Sequence, residues 1–240
     1  MLNLKEISKK HFFQPVWYSS FVNPYFIARY GLFKKIKDFS DQDFSGQKIL
    51  DIGCGEKPYQ NLFLNYKEYV GIDIEGGGHN DESKNVDKFY DGKKIPFPDG
   101  SFENVICTQV LEHVDDSELL LNEISRILKK GGKVFLTMPF VWNEHEVPFD
   151  YRRFTRYEHF RIFNKAGLTV EKIENTSGLF GVCGQLISAF IFEKINPNFF
   201  IFKLLVVTII CFPIQVVFIF LDFVFKNSWI TLDYVINARK

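Results

Sequence analysis

Chemistry is concentrated in the run Ile49-Leu50-Asp51-Ile52-Gly53-Cys54-Gly55-Glu56-Lys57-Pro58. An apolar stretch ends in two glycines one residue apart. Gly53 and Gly55 allow a tight turn and let the backbone come close to a ligand. A helix over Lys57–Asn65 would then present unpaired N–H groups to an anion. A dinucleotide needs G-x-G-x-x-G/A, with its pyrophosphate on that helix N-terminus. Pro58 stands where the third small residue belongs, which argues against a nicotinamide-dependent oxidoreductase. Asp51, two places before the first glycine, is a poor neighbour for a pyrophosphate. It suits a ligand with a cationic amino group and a sulfonium.

Two further carboxylates follow at the spacing of a nucleoside site. Asp73 closes the run Tyr69-Val70-Gly71-Ile72-Asp73, about 20 residues after the glycine loop, where a carboxylate accepts hydrogen bonds from both hydroxyls of a ribose. Asp91 and Gly92 open the segment up to Phe102. Asp91 is placed to accept from an adenine amino group, and the Gly92 N–H to donate to a ring nitrogen.

The segment Ile95-Pro96-Phe97-Pro98-Asp99-Gly100-Ser101-Phe102, followed by Leu111-Glu112-His113-Val114, resembles the L-P-F-P-D-x-S-F-D…L-E-H-V pattern of class I S-adenosylmethionine (SAM)-dependent methyltransferases of the type 11-like branch. The resemblance runs from about Gly46 to Thr176. It implies SAM as cofactor. Asp51, Gly53 and Gly55 would hold its methionine end, Asp73 its ribose, and Asp91 with Gly92 its adenine, with Gln109 also at the cofactor. The chain departs from the pattern at Glu103, where the family usually has Asp, and at Lys57, where a third Gly is common. Lys57 narrows the approach to the loop.

Methyl transfer is an in-line displacement, so a protein supplies alignment, desolvation and, for a hydroxyl acceptor, a base. The acceptor side lies over the C-terminal ends of the fourth and fifth strands. Gln109, Glu112 and His113 follow the fourth. Asn143, Glu144, His145, Asp150, Tyr151, Arg152 and Arg153 follow the fifth. His145 is the preferred base, with Asp150 and His113 as further catalytic candidates; each has a plain structural alternative, His145 as an orienter of its loop and His113 as packing beside the cofactor. Arg153 pairs either with an anionic acceptor or with Asp150. The stretch Pro139–Thr155 resembles a P-F…H…P-x-D-Y-x-R-F-T segment in a subset of the family, one related to enzymes of surface glycans or lipid-linked intermediates.

These residues need a scaffold. Strands are expected at Gln47–Ile52, Tyr69–Ile74, Val86–Tyr90, Asn104–Gln109, Lys133–Met138 and Thr169–Asn175, with helices at Ser117–Leu128 and Arg156–Ala166. The alternation predicts an α/β, doubly wound, mostly parallel sheet with right-handed crossovers. By the resemblance it is a seven-stranded Rossmann-like methyltransferase sheet, closed by Leu232–Ala238 lying antiparallel beside the fifth strand. Residues 1–45 read as an N-terminal helical cap, 46–177 as the SAM-binding core, 178–228 as an apolar insert and 229–240 as the final strand. The lead-in, with Phe26, Ile27, Tyr30, Phe33 and Ile36 at helical spacing among basic residues, either caps the domain or its cleft, or lies on anionic lipid.

The insert is where the composition shifts. Leu204–Leu221 carries no charge and is long enough to be read as a span, although at about 27 Å it is slightly short. Pro213 should kink it. Gly178, Gly181 and Gly184 share one face of the preceding helix. A chain that leaves the sheet after Thr176 and returns for its last strand cannot cross a bilayer once. Lys194 and Lys203 beside the polar turn Glu193–Asn198, which contains Pro197, disfavour translocation. The expectation is a shallow hairpin on the cytoplasmic side of a membrane; the alternative is an insert buried in a dimer or over the cleft.

The remaining composition excludes more than it adds. The 240 residues suit one decorated α/β domain, and 29 basic against 29 acidic residues leave no net field for nucleic acid. Cys54, Cys107, Cys183 and Cys211 have neither metal-ligand nor disulfide spacing, so no metal is expected and a reduced setting is. Phe12-Phe13-Gln14-Pro15 breaks any secretory pattern. The acceptor is expected to be a small molecule, a glycan or a lipid-linked compound. The competing function is a non-catalytic SAM-fold membrane adaptor, whose hallmark would be a broken cofactor loop.

Overall fold

The computed structural model describes residues 4–76, 84–195 and 200–240. The chain divides into two compact units. One comprises Asp38–Glu174 with Tyr234–Lys240, the other Met1–Lys37 with Asn175–Asp233. Each is described in turn.

The first unit is built on a seven-stranded sheet. Its strands are β1 (Lys48–Ile52), β2 (Glu68–Ile74), β3 (Lys88–Tyr90), β4 (Phe102–Thr108), β5 (Leu128–Pro139), β6 (Thr169–Asn175) and β7 (Asp233–Arg239), in the order β3-β2-β1-β4-β5-β7-β6. Strands β1 to β5 pair in parallel. At one end of β7, Gly131 N–H donates to Lys240 O and Lys240 N–H to Gly132 O; at the other, Phe140 packs on Tyr234. β7 therefore runs antiparallel to β5, as the resemblance requires. The order reverses direction between β1 and β4, and a ligand crevice lies at the carboxyl ends of the strands at such a point.

Apolar side chains dictate these strands. Ile49, Leu50, Ile52, Val105, Ile106, Leu136 and Ile236 are all 0–1% exposed, as expected for strands covered on both faces. The helix α3 (Ser117–Ile127) lays Leu120, Leu121, Ile124 and Ile127 into that core. It is capped by Asp116, whose carboxylate accepts from Leu119 N–H at 2.9 Å. The helix α4 (Arg156–Lys165) is capped by Thr155 and stopped by Gly167 at φ +74°.

One expected element is missing, and β5 begins at Leu128, ahead of the expected Lys133. No helix forms over Lys57–Asn65; a single 3-10 turn, Gln60–Leu62, stands there. Lys57 and Asn65 both have positive φ, and Lys57 precedes a proline, which disfavours helical backbone.

The second unit is helical. It contains α1 (Leu4–Phe13), most of α2 (Phe26–Ser40), α5 (Leu179–Lys194), α6 (Phe200–Leu205) and α7 (Phe212–Val224). A π-helical stretch, Val206–Cys211, joins the last two. Phe212 N–H reaches back five residues to Val207 O, so the disruption expected of Pro213 takes the form of a π-turn. Gly181 and Gly184 of α5 face α7: a Cβ on Gly184 would lie 2.4 Å from that of Phe218. The expected turn over Glu193–Asn198 falls partly on residues 196–199, outside the described residues.

Candidate active site

The glycine loop leaves β1 in two left-handed steps, Gly53 at φ +65° and Gly55 at +48°. Gly53 has no alternative, because a Cβ there would lie 2.3 Å from Val110 Cγ2. A Cβ on Gly55 would meet nothing within 4 Å, so the loop backbone borders open space. Gly53 and Cys54 N–H both donate to Ile72 O, and Gly55 N–H to Asp73 Oδ2 at 3.0 Å. The expectation of helix N–H groups offered to an anion is thus corrected. With Lys57 left-handed there is no such helix, and the loop N–H groups are held by β2.

Carboxylates face this loop. Asp51 is buried and accepts from the Tyr69 hydroxyl at 2.7 Å. Burial pushes its carboxyl up to about 7, against the pull of Tyr69 and the Lys57 ammonium. Asp73 stands at the end of β2, with Lys84 Nζ 3.6 Å from its Oδ1. Asp91 accepts from Lys93 and Lys94 N–H, which hold its carboxyl below the usual range. Gly92 follows at φ +74°. Gln109, at φ +56°, donates its side-chain amide to Thr137 Oγ1 at 3.1 Å. Buried and exposed acids beside a glycine cradle with no phosphate-binding helix fit a cationic, ribose-bearing ligand. In that cradle Asp51 would meet the ammonium and Asp73 the ribose of SAM, which supplies an electrophilic methyl group.

The loop is braced by residues that carry no family signal. Lys57 Nζ lies 2.5 Å from Asp87 Oδ2, and the same oxygen accepts from Gly71 N–H. Burial opposes ionisation of Asp87, but Lys57 and that N–H outweigh it and lower its carboxyl. Gly71 leaves no room for a side chain: a Cβ there would lie 2.7 Å from Cys54 Sγ and 2.9 Å from its Cβ, with Lys57 Cε at 2.3 Å. Lys57 therefore packs under the loop and is itself buried. Glu103 accepts from Lys48 N–H, at the opposite ends of the strands from the glycine loop.

A second cluster gathers after β4 and β5. Glu112 is fully buried, and Tyr151 N–H donates to its carbonyl. His113 Nδ1 lies 2.9 Å from Phe149 O, and its ring meets that of His145 edge to face at 4.8 Å. His145 Nδ1 is 3.1 Å from Asp150 Oδ2. Burial first, then His113, lowers the His145 pKa. Arg153 grips Asp150 through two bonds of 2.5 and 2.7 Å, which with the His145 N–H carry its carboxyl down to about 2 despite burial. Arg153 is thus Asp150's partner. Arg152 ties this loop to Ser117 Oγ and to the carbonyls of Val114 and Asp115. The structure brings His113, His145 and Asp150 together, apart from the cofactor candidates on β1 and β2. Sequence reading missed Tyr69, Asp87 and Lys84, and it placed Lys57 at the approach to the loop instead of beneath it. A lysine in place of a loop glycine was the available signal.

Known proteins share this fold. A methyltransferase domain family is matched over residues 26–171, more than half of the chain. Sterol 24-C-methyltransferase ERG6B of Gibberella zeae is 37% identical over 101 residues, 36% of this chain and 26% of that protein. The matches span about a quarter to about half of the curated relatives' own lengths. A SAM-dependent methyltransferase from Archaeoglobus fulgidus superposes with TM-score 0.57 at 16% identity, over 98% of this chain and 99% of its own. Phosphoethanolamine N-methyltransferase 2 of Haemonchus contortus, in complex with SAM, gives 0.55 at 18% identity over 100% of this chain and 60% of its own. The cofactor is SAM, and the chain belongs to the SAM-dependent methyltransferases through its methyltransferase domain.

Proposed function

We propose that the protein transfers the SAM methyl group to a small-molecule acceptor held over the ends of β4 and β5, and that it works at the cytoplasmic face of a membrane. The observation that supports the first part is the intact cradle: the Gly55 backbone borders open space, Asp73 Oδ2 accepts from its N–H, and Asp51 is buried behind Gly53. A non-catalytic adaptor has no need to keep it. SAM fixes one reactant, and the cluster of His113, His145 and Asp150 after β4 and β5 would serve the other. His145 or Asp150 serves the acceptor there, and a sterol-like or lipid-linked acceptor agrees with the sterol relative.

Membrane attachment rests on the apolar surface of the second unit. The buried positions of its helices include Gly181, Gly184, Gln185, Ser188 and Gln215, whereas Phe190, Phe202, Ile209, Val217, Phe220 and Phe223 are exposed. Gln185 and Gln215 donate to Pro24 O, and Gln185 accepts from Ala28 N–H. Small and polar groups inside with apolar groups outside suit lipid, and an exposed patch of this kind is unusual in water.

Calorimetry with SAM and with NAD on the detergent-solubilised protein tests the enzyme class. SAM alone should bind, and Asp73→Ala should weaken it by about 1.5–3 kcal/mol, the range for a charge-assisted hydrogen-bonding group. Unchanged affinity in a folded variant would remove Asp73 from the ribose. A methyl-labelled SAM screen of membrane extract then identifies the product.

A further inference from the structure

We propose that Glu112, His113 and His145 bind a divalent transition-metal ion. One ligand atom from each lies within 4.8 Å of the others. One carboxylate oxygen and two imidazole nitrogens suit zinc, cobalt, manganese or iron rather than calcium or magnesium. The cysteine spacing gave no hint of this, because no cysteine takes part.

The hydrogen bonding of His113 is the independent observation. Phe149 O only accepts, so the His113 Nδ1 beside it at 2.9 Å carries a proton. In the neutral ring, Nε2 is then a lone pair. That nitrogen is buried without a hydrogen-bond partner, 3.7 Å from Glu112 Oε1 and 3.9 Å from Glu146 Oε2. A lone pair facing carboxylates is repelled, and a cation between them converts repulsion into ligation. Metal-binding histidines are oriented in the same way, the far ring nitrogen donating to a backbone carbonyl or carboxylate. His145 Nδ1 lies 3.1 Å from Asp150 Oδ2 without hydrogen-bond geometry, and Asp150 itself is clamped by Arg153.

The ion would sit on the acceptor side, after β4 and β5, which narrows the acceptor to a hydroxyl compound. This step rests on the methyltransferase reading; metal binding does not. A hydroxyl oxygen bound to the ion loses its proton to solvent more readily. Its lone pair forms the new O–CH3 bond. The S–CH3 bond breaks with its electrons returning to sulfur, leaving S-adenosylhomocysteine and a methyl ether.

The test uses the full chain, stripped with chelator and titrated with Co2+ by visible absorption, with SAM affinity measured in parallel. Wild type should bind one Co2+ per chain, with bands shifted from the aqueous ion. Glu112→Gln and His145→Asn should bind Co2+ at least tenfold more weakly and SAM with unchanged affinity. Because Glu112 is fully buried, His145→Asn on a partly exposed side chain guards against a folding defect. Absence of saturable Co2+ binding in wild type that still binds SAM would overturn the metal site and leave the methyltransferase reading intact. So would unchanged Co2+ affinity in His145→Asn. Loss of SAM binding by wild type that takes up Co2+ would overturn the methyltransferase reading alone.

Discussion

Asp51 shows how burial and ligand chemistry meet in one side chain. Its carboxyl is raised from 3.8 to about 7, chiefly by desolvation. Folding without ligand therefore takes up a proton. The stabilisation is complete below about pH 4 and is lost as pH rises through 7. A cationic ammonium beside Asp51 favours the ionised form and opposes that loss. We expect the ligand-free protein to lose thermal stability between pH 5 and pH 8, and Asp51→Asn, which can still accept from Tyr69, to lose less. The same variant should bind SAM at least tenfold more weakly. Parallel melting profiles for the two proteins would show that Asp51 is not raised. The residues with a family role were legible because each is a rare type at a fixed offset. Their braces were not: Tyr69 pairs with Asp51 on the neighbouring strand and Lys57 with Asp87 between two loops, and such pairing appears only once the sheet order is known.

Elements were legible wherever the hydrophobic period was strong. The pattern of α3 and the strand runs around it came through within a few residues. The Ile95–Phe102 motif that identified the family proves to be a structural staple. Arg126 of α3 donates to the carbonyls of Ile95 and Phe97, and Glu123 accepts from Ile95 N–H. The failure at Lys57–Asn65 has a local cause, since a positive φ before a proline overrides the apolar spacing. On α4, a polar residue sits where the period calls for an apolar one. His159 is fully buried among Phe154, Phe163 and Tyr234, with both ring nitrogens lacking a hydrogen-bond partner. Burial lowers its pKa to about 4. The unfolded chain binds the proton first as pH falls, so stability should drop from about pH 6.5 down to 4, by up to about 3 kcal/mol. His159→Phe should remove that acid sensitivity in denaturant unfolding at pH 7 and pH 5. If both proteins lose the same stability at pH 5, the acid sensitivity lies elsewhere.

At the scale of the whole chain, the sequence located the apolar segment but not what its inner face would contain. Its ends meet. Thr176 N–H donates to Asp233 O, Asp233 N–H donates to Thr176 Oγ1, and Thr176 Oγ1 lies 3.1 Å from Asp233 Oδ2. In the proposed membrane setting, a segment whose two ends are tied together would enter and leave lipid on one side. Among the described residues, Phe202–Val224 is the one helical stretch long and apolar enough to cross a bilayer. α5, with 16 residues, reaches only about 24 Å, short of a hydrocarbon core of about 30 Å. Two full crossings therefore need more helix than α5 provides, and a hairpin seated in one leaflet does not. Exposed Trp17, Tyr18 and Trp229 in the same unit suit the headgroup level. We expect the full chain to float with phospholipid vesicles through a density gradient and to remain bound in high salt, since burial of apolar surface is not screened. Replacing Phe220 and Phe223 by Ser should release a substantial fraction while leaving SAM affinity unchanged. A cysteine placed at Lys194, at the end of α5, should resist an impermeant thiol reagent added to the outside of intact cells. Labelling from outside would mean two full crossings. Purification as a detergent-free monomer or dimer that ignores vesicles would mean that the apolar surface is covered by protein instead of lipid.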